Sequence, residues 1–245
     1  DRRAVLSFLR ASYPVPLSLW QRLSLVVRFV HITNQVRAYH SQAQMLAVAD
    51  AVFRRVAARP VTLLECGCGK GGSTAKLSLI AQLAGGRLIA CDSFKGMPPN
   101  DERHTDLKGR PMVFRAGAFR GRLREVQRAV ESYGAPQAVD YRKGWFADTL
   151  PVLQEPIDVA FLDVDLLEST RVCLRYLVPR LRPGGVIFTQ DGHITAIAQL
   201  LGDARFWQEE IGIPPPRIAG LGRKKFLRIE PDPGGTSGPD YTACI

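Results

Sequence analysis

The feature that most constrains this chain is an alternation, from Val61 onward, of short apolar runs rich in β-branched residues with segments of helical periodicity. "VTLLEC" (61–66), "GRLIACD" (86–92), "QAVDYRK" (137–143), "IDVAFLD" (157–163) and "GVIFTQD" (185–191) read as strands. Between them, "GGSTAKLSLIAQLAGG", "GAFRGRLREVQRAVESYG", "WFADTLPVL" and "LLESTRVCLRYLVPRLRPGG" read as helices with Gly or Pro stops. Tight turns cannot join parallel strands, so this alternation requires crossover units: an α/β fold with a mostly parallel sheet and helices on both faces. A ligand site on such a sheet belongs at the carboxyl ends of its strands.

Residues 4–57 contain no convincing strand. "LWQRLSLVVRFVHI" and "SQAQMLAVADAVFRRVAA" are amphipathic and are expected to dock on the sheet. Downstream, "ITAIAQLLGDARFWQEEIG" reads as helix and "GRKKFLRIE" as a last strand. The expected organisation is a helical extension over 1–57 on the acceptor side, a sheet domain over 58–230, and a loose Gly/Pro/Ser-rich tail over 231–245. With 245 residues and 46% hydrophobic content, the chain can bury one sizeable core. No run reaches the apolar length of a membrane span and no secretory signal is visible, so a cytoplasmic protein without a membrane partner is expected. Cys66, Cys68, Cys91, Cys173 and Cys244 lie mostly in apolar segments without repeated C-x-x-C spacing, which points to reduced, buried thiols. The formal charge of +10 is compatible with an anionic partner, but most of the excess is Arg spread along helical stretches, where a solvated face is the ordinary reading. Nucleic acid is therefore not the expected partner.

"LLECGCGKGGS" places Gly67, Gly69, Gly71 and Gly72 between the first strand and its helix, where glycine lets the backbone approach a ligand lying across the strand end. The next strand ends in Asp92, suited to gripping ribose hydroxyls. A dinucleotide site uses a similar turn, but Glu65, just before the glycines, would repel a pyrophosphate. It suits the ammonium and sulfonium of S-adenosylmethionine instead.

"ECGCGKGGS", "DSFKGMPP", "GWFADTLP" and "LDVDLLEST" occur in the order and at the spacing of the macrocin O-methyltransferase family, which the chain resembles over roughly residues 61–192. The resemblance implies a Rossmann-like class I methyltransferase fold with a seven-stranded sheet, S-adenosylmethionine as cofactor, a divalent metal, usually Mg²⁺, and methylation of a sugar hydroxyl in antibiotic tailoring. It implies that Glu65, Gly67 and Gly69 hold the methionine end of the cofactor, with Cys68, Gly71 and Ser73 on the same turn. By the same likeness Asp92 and Ser93 meet the ribose, Gly144 and Trp145 lie near the adenine, and Asp163 borders the cofactor.

Strand alternation points Asp163 and Asp165 to one side if the chain stays extended there. "FTQDGH" brings Gln190, Asp191 and His193 to the same edge, so Asp163, Gln190 and Asp191 can present oxygen ligands to a hard cation such as Mg²⁺. The family pattern makes the first Asp of "LDxD" a metal ligand and the second the base, which assigns Asp163 and Asp165 respectively. Where that pattern has two consecutive acids this chain has Gln190 and Asp191, and where it has "GVWRGGS" this chain has "GCGKGGS". Losing one negative charge lowers metal affinity, which leaves His193 as a rival general base. The competing reading of the carboxylates is that Asp163 and Asp165 cap the helix starting near Leu166.

The connection over 94–119, carrying Met97, His104, Arg110 and Phe114, is long for a strand-to-helix link and is expected to cover the acceptor pocket as a mobile lid. The acceptor is expected to be a small glycosylated molecule, and the chain a possible homo-oligomer. A metal-independent O- or N-methyltransferase, an RNA methyltransferase, and a binding module that has lost catalysis remain as alternatives.

Overall fold

The computed structural model describes residues 2–14, 16–55 and 60–231. The expected loose tail, with Cys244, and the expected boundary near residue 57 fall on or beside positions outside these residues. Three helices come first: α1 (Arg2–Arg10), α2 (Leu19–Gln35) and α3 (Gln42–Phe53). Both α2 and α3 start in a capping box, Ser18 with Gln21 and Ser41 with Gln44, each serine accepting from the amide of its glutamine while the glutamine side chain accepts from the serine amide.

The alternating unit then runs β1 (Thr62–Cys66), α4 (Gly72–Leu83), β2 (Arg87–Asp92), a small hairpin of β3 (His104–Thr105) and β4 (Pro111–Met112), α5 (Leu123–Tyr133), β5 (Val139–Lys143), α6 (Phe146–Thr149), β6 (Ile157–Leu162), α7 (Leu167–Leu177), β7 (Leu181–Thr189) and α8 (Thr195–Gly202). A single π-helical stretch over Phe206–Ile211 leads to β8 (Arg217–Ala219) and β9 (Leu227–Glu230). The seven-stranded sheet has the order β5-β2-β1-β6-β7-β9-β8, with β9 antiparallel to both its neighbours. Strands β1 and β6 are buried at every residue, which is why they read as continuous apolar runs rather than alternating ones. Strand order reverses between them, and this switch point opens a crevice at their carboxyl ends.

Four expectations need correction. The helix expected from residue 117 starts at Leu123, because Gly117 (φ 77°) and Phe119 (φ 58°) are left-handed and cannot propagate an α-helix. The helix expected to run to 185 stops at Leu177; Pro179 follows in a short 3₁₀ turn and the chain is already paired with β6 at Leu181. Strand β7 ends at Thr189, so Gln190 and Asp191 lie just beyond it, and β8 had no sequence signal of its own. Finally, α3 is not amphipathic: Ala43 through Phe53 are all buried, since α1, α4 and β6 pack around it.

Two large apolar clusters flank the sheet, beside a small third of Cys68, Ala90, Phe94 and Val126. One joins α1–α4 to Leu63, Phe161 and Phe188; the other joins α7, α8 and Trp207 to Leu64, Ala160 and Ile187. Alternate residues of each strand thus serve opposite layers. Cys66, Cys68, Cys91 and Cys173 are free and buried, as the spacing implied.

Candidate active site

A cavity of about 880 Å³ occupies the switch point. Its floor is the turn after β1, where Gly67, Gly69 and Gly71 all have positive φ. A Cβ on Gly67 would sit 2.1 Å from the Asp163 carbonyl oxygen, so only glycine lets β1 and β6 lie this close at their ends. Of the residues expected at the cofactor, Gly67, Cys68, Gly69, Ser73, Asp92, Ser93, Trp145 and Asp163 line the cavity. Glu65, Gly71 and Gly144 stand behind this wall: Gly71 is the left-handed N-cap of α4, and the Gly144 amide donates to the Asp92 carbonyl.

Glu65 is fully buried, and neither of its carboxylate oxygens has a hydrogen-bond partner. Burial pushes its pKa up to about 7. A buried carboxyl without a partner beside a ligand turn is unfinished chemistry, and a cation arriving there would complete it. Asp92 receives the Cys68 amide at 2.7 Å and the Phe94 amide at 2.6 Å, which holds the glycine turn against the end of β2. The Ser93 hydroxyl donates to the Gly96 carbonyl and accepts from the Lys95 amide, so it shapes the turn that starts the 94–119 connection. The Lys95 ammonium lies 5.9 Å from the centre of the Trp145 ring.

Asp163, Asp165 and Asp191 present carboxylate oxygens that all lie within 4.8 Å of one another. They converge by a different route from the one alternation suggested. Strand β6 ends at Leu162, and Asp165 is left-handed, at φ 60°. A non-glycine residue in that region carries strain, which the surroundings must hold in place. The Asp191 Oδ2 does so, accepting from the Val164 amide at 3.0 Å and the Asp165 amide at 3.2 Å, while its Oδ1 has no partner. Burial, and then mutual repulsion, raise the pKa of Asp163 and Asp165; burial also raises that of Asp191, though its amide donors oppose it.

Helix capping does not account for these acids. The first amides of α7, on Leu167 and Glu168, donate to the two carboxylate oxygens of Glu102 at 2.8 and 3.1 Å. Glu102 comes from the 94–119 connection, so Asp163 and Asp165 are left free at the cavity.

Gln190 is fully buried just beyond β7, and its amide nitrogen donates to Gln44 Oε1 on α3 at 3.1 Å. Its Oε1 has no partner. The same Gln44 oxygen accepts from the Ser41 amide, so the cap of α3 also orients Gln190. The three clustered carboxylates, with an unpartnered oxygen on Asp191, therefore fit a hard cation. His193 lines the cavity with its Nδ1 unpartnered, and burial followed by the nearby Lys225 lowers its pKa. It is not a helix cap, since Ile194 holds the N-cap position of α8.

Several lining residues carried no sequence signal. Lys225 acts electrostatically on all three aspartates and on His193, and sits in the link to β9. Arg37, Tyr39 and His40 come from the α2–α3 link. The 94–119 connection adds Met112 and Phe119 to the expected Met97 and Phe114 on the cavity wall. Of its other singled-out residues, His104 contacts Glu102 Oε2 at 2.8 Å and Arg110 pairs with Asp106.

A parallel sheet reversed at β1/β6, a glycine turn backed by an acid, and an acidic edge at β6 and β7 define a class I methyltransferase fold. Within that class the chain belongs to the macrocin O-methyltransferase family: the family described as Macrocin-O-methyltransferase (TylF) matches residues 40–216. It is 34% identical over 152 residues, 60% of this chain and 58% of the relative, to 8-demethyl-8-(2,3-dimethoxy-alpha-L-rhamnosyl)-tetracenomycin-C 4'-O-methyltransferase of Streptomyces olivaceus. It is 30% identical over 152 residues, 59% of this chain and 56% of the relative, to demethyldecarbamoylnovobiocin O-methyltransferase of Streptomyces niveus. The matched stretch thus spans less than two thirds of either relative. Among solved structures, the O-methyltransferase NovP superimposes with a TM-score of 0.67 at 17% identity, covering 87% of this chain and 98% of that one.

Proposed function

We propose that this chain transfers a methyl group from S-adenosylmethionine to a hydroxyl of a small, sugar-bearing natural product. The observation that carries the reading is the cluster of Asp163, Asp165 and Asp191, whose first two members line a cavity floored by the turn that carries Gly67 and Gly69. The activities for which the two relatives are named, methylation of a rhamnosyl tetracenomycin and of demethyldecarbamoylnovobiocin, support the substrate class.

Bound across the glycine turn, the donor supplies a methyl group on a positively charged sulfur. The chain's part is to hold the methionine end at Gly67, Gly69 and Ser73, with the Glu65 carboxyl behind them to balance positive charge. Asp92 and Trp145 border the ribose and adenine positions in this reading. The acceptor enters between the 94–119 connection and the α2–α3 link, whose Met97, Phe114, Phe119 and Tyr39 give it apolar walls that exclude water. Asp165, on the wall and with its proton affinity raised, takes the proton of the attacking hydroxyl at a carboxylate oxygen. Asp163 and Asp191, with Gln190 as the candidate third ligand, would hold Mg²⁺, whose positive charge would lower the pKa of the acceptor hydroxyl. His193 as base, without metal, is the second reading, favoured by its unpartnered Nδ1 on the same wall.

Calorimetric titration with S-adenosylhomocysteine tests the core of the reading, and absence of binding would end it. Asp165→Asn should retain that binding and lose roughly 10²–10⁴-fold in turnover, the usual worth of a general base. If His193→Gln loses that much and Asp165→Asn does not, the second reading stands. Titration with Mg²⁺ alone separates the metal question, since Asp191→Asn should abolish any heat the parent chain gives.

A further inference from the structure

Helix α2 buries Leu25, Phe29 and Ile32 against the rest of the molecule, yet it carries a second apolar stripe that faces outward. Trp20 is 79% exposed, Val27 66% and Val30 45%. With the half-buried Leu23, these residues recur at alternating steps of three and four, the seam pattern by which helices pair side by side. Exposed apolar residues scattered singly are ordinary, but a contiguous stripe led by a tryptophan is not.

The chemistry of the face narrows its occupant. No acid occurs in α2, and its two arginines are already engaged. Arg22 donates to the carbonyls of Leu9, Ala11 and Leu17, and Arg28 Nη2 donates to those of Tyr133 and Gly134 at 3.1 and 3.3 Å. An acidic protein or an anionic bilayer would need cations on the contact stripe, and Trp20, Leu23, Val27 and Val30 supply none. Beside Trp20 lies a groove of about 270 Å³ between α2 and α4, whose α4 wall of Leu79, Gln82 and Leu83 is uncharged; Arg28, on the α2 wall, is its one charged lining residue and turns Nη2 to the Tyr133 and Gly134 carbonyls. The stripe is therefore complementary to another apolar helix surface carrying a large protruding side chain. Its own copy is such a surface, because knob and groove lie next to each other, as a two-fold contact requires. Two chains of formal charge +10 repel over most of their surfaces, so a face whose exposed stripe is apolar is where they can approach.

We propose that two copies of this chain associate through the Trp20–Val27–Val30 face of α2, each Trp20 seated in the α2–α4 groove of the other. The contact is remote in sequence from the acidic edge and does not depend on the methyl-transfer reading.

Sedimentation velocity on the full chain across the micromolar range tests it. The parent chain should sediment as a dimer, Val27→Glu as a monomer, and Trp20→Ala should weaken the dimer at least about 10-fold, as truncating an interface anchor does. Near-UV circular dichroism reports whether each variant is folded; should Val27→Glu fail to fold, Val30→Lys on the same stripe decides. A parent chain that stays monomeric at every concentration overturns the proposal, as do folded Val27→Glu and Val30→Lys variants that remain dimeric. Flotation of a monomeric parent chain with phosphatidylcholine vesicles would overturn it in favour of a lipid surface.

Discussion

Gly67 shows what a single residue holds in place. At φ 91°, with the Asp163 carbonyl where its Cβ would be, it permits the approach of β1 to β6 that builds the cavity floor. Gly67→Ala should cost about 2–4 kcal/mol, from positive φ and backbone overlap together, read as a fall in the urea midpoint at unchanged slope. This residue was legible, because a run of glycines directly after a buried strand marks a backbone that must turn sharply and come close to a neighbour. Asp165 was legible as a site residue but not in its conformation, since alternation assumes an extended chain and the Val164 and Asp165 amides turn instead to Asp191. Lys76 was not legible at all. It is fully buried in α4, its ammonium 2.6 Å from Thr33 Oγ1 and 3.1 Å from His40 Nε2, and nothing in a helical pattern announces a lysine on the inward face. Burial pushes Lys76 down to about 8 and, with Lys76 and Lys225 beside it, His40 down to about 3, so neutral His40 accepts from the ammonium. Between pH 8 and 10.5 the unfolded chain keeps a proton on Lys76 that the native chain has lost. The burial penalty is therefore fully present below that window, and stability rises with pH through it. Relative to Lys76→Met, the parent chain should gain up to about 3 kcal/mol across the window, measured by urea unfolding on either side.

At the level of elements, the 94–119 connection was recognisable by its length, but its anchorage was not. It is fixed at two helix starts. Glu102 caps α7, while Asp106 bridges to Ile194 and its carbonyl accepts from the Thr195 hydroxyl at 2.8 Å at the start of α8. These are contacts between residues far apart in sequence, which no local pattern encodes. Periodicity likewise misjudged the starts of α5 and β7, where left-handed residues and strand pairing prevailed over propensity. Glu102→Ala removes both acceptors from the α7 amides and should cost about 1 kcal/mol, a fall in Tm of roughly 2–4 °C in a chain of this size. Because the connection walls the acceptor side of the cavity, the same variant should raise the acceptor KM several-fold while calorimetric affinity for S-adenosylhomocysteine stays unchanged. Equal loss of both would mean that the connection serves the donor as well.

For the whole molecule, the alternation of runs led directly to the parallel sheet, because crossover geometry leaves few ways to join such strands. The place of the N-terminal helices was less visible. Reading them as an extension followed from the absence of strands before Val61, but the apolar layer on one face of the sheet is made jointly by Phe8, Phe29, Val48 and Phe53 with Leu63, Phe161 and Phe188. The sign was present in "QAQMLAVADAVF", nearly apolar all round, which is how a helix buried on every side is written. Helices that share one core with the strands they cover have no reason to melt apart from them. Scanning calorimetry should therefore show one transition, with calorimetric and van't Hoff enthalpies in agreement, and saturating S-adenosylhomocysteine should shift that whole transition upward. At a hundredfold excess over Kd the added stability is about 2.7 kcal/mol. Two resolved transitions, with only the later one moved by the ligand, would mean that the helices form a separate unit after all.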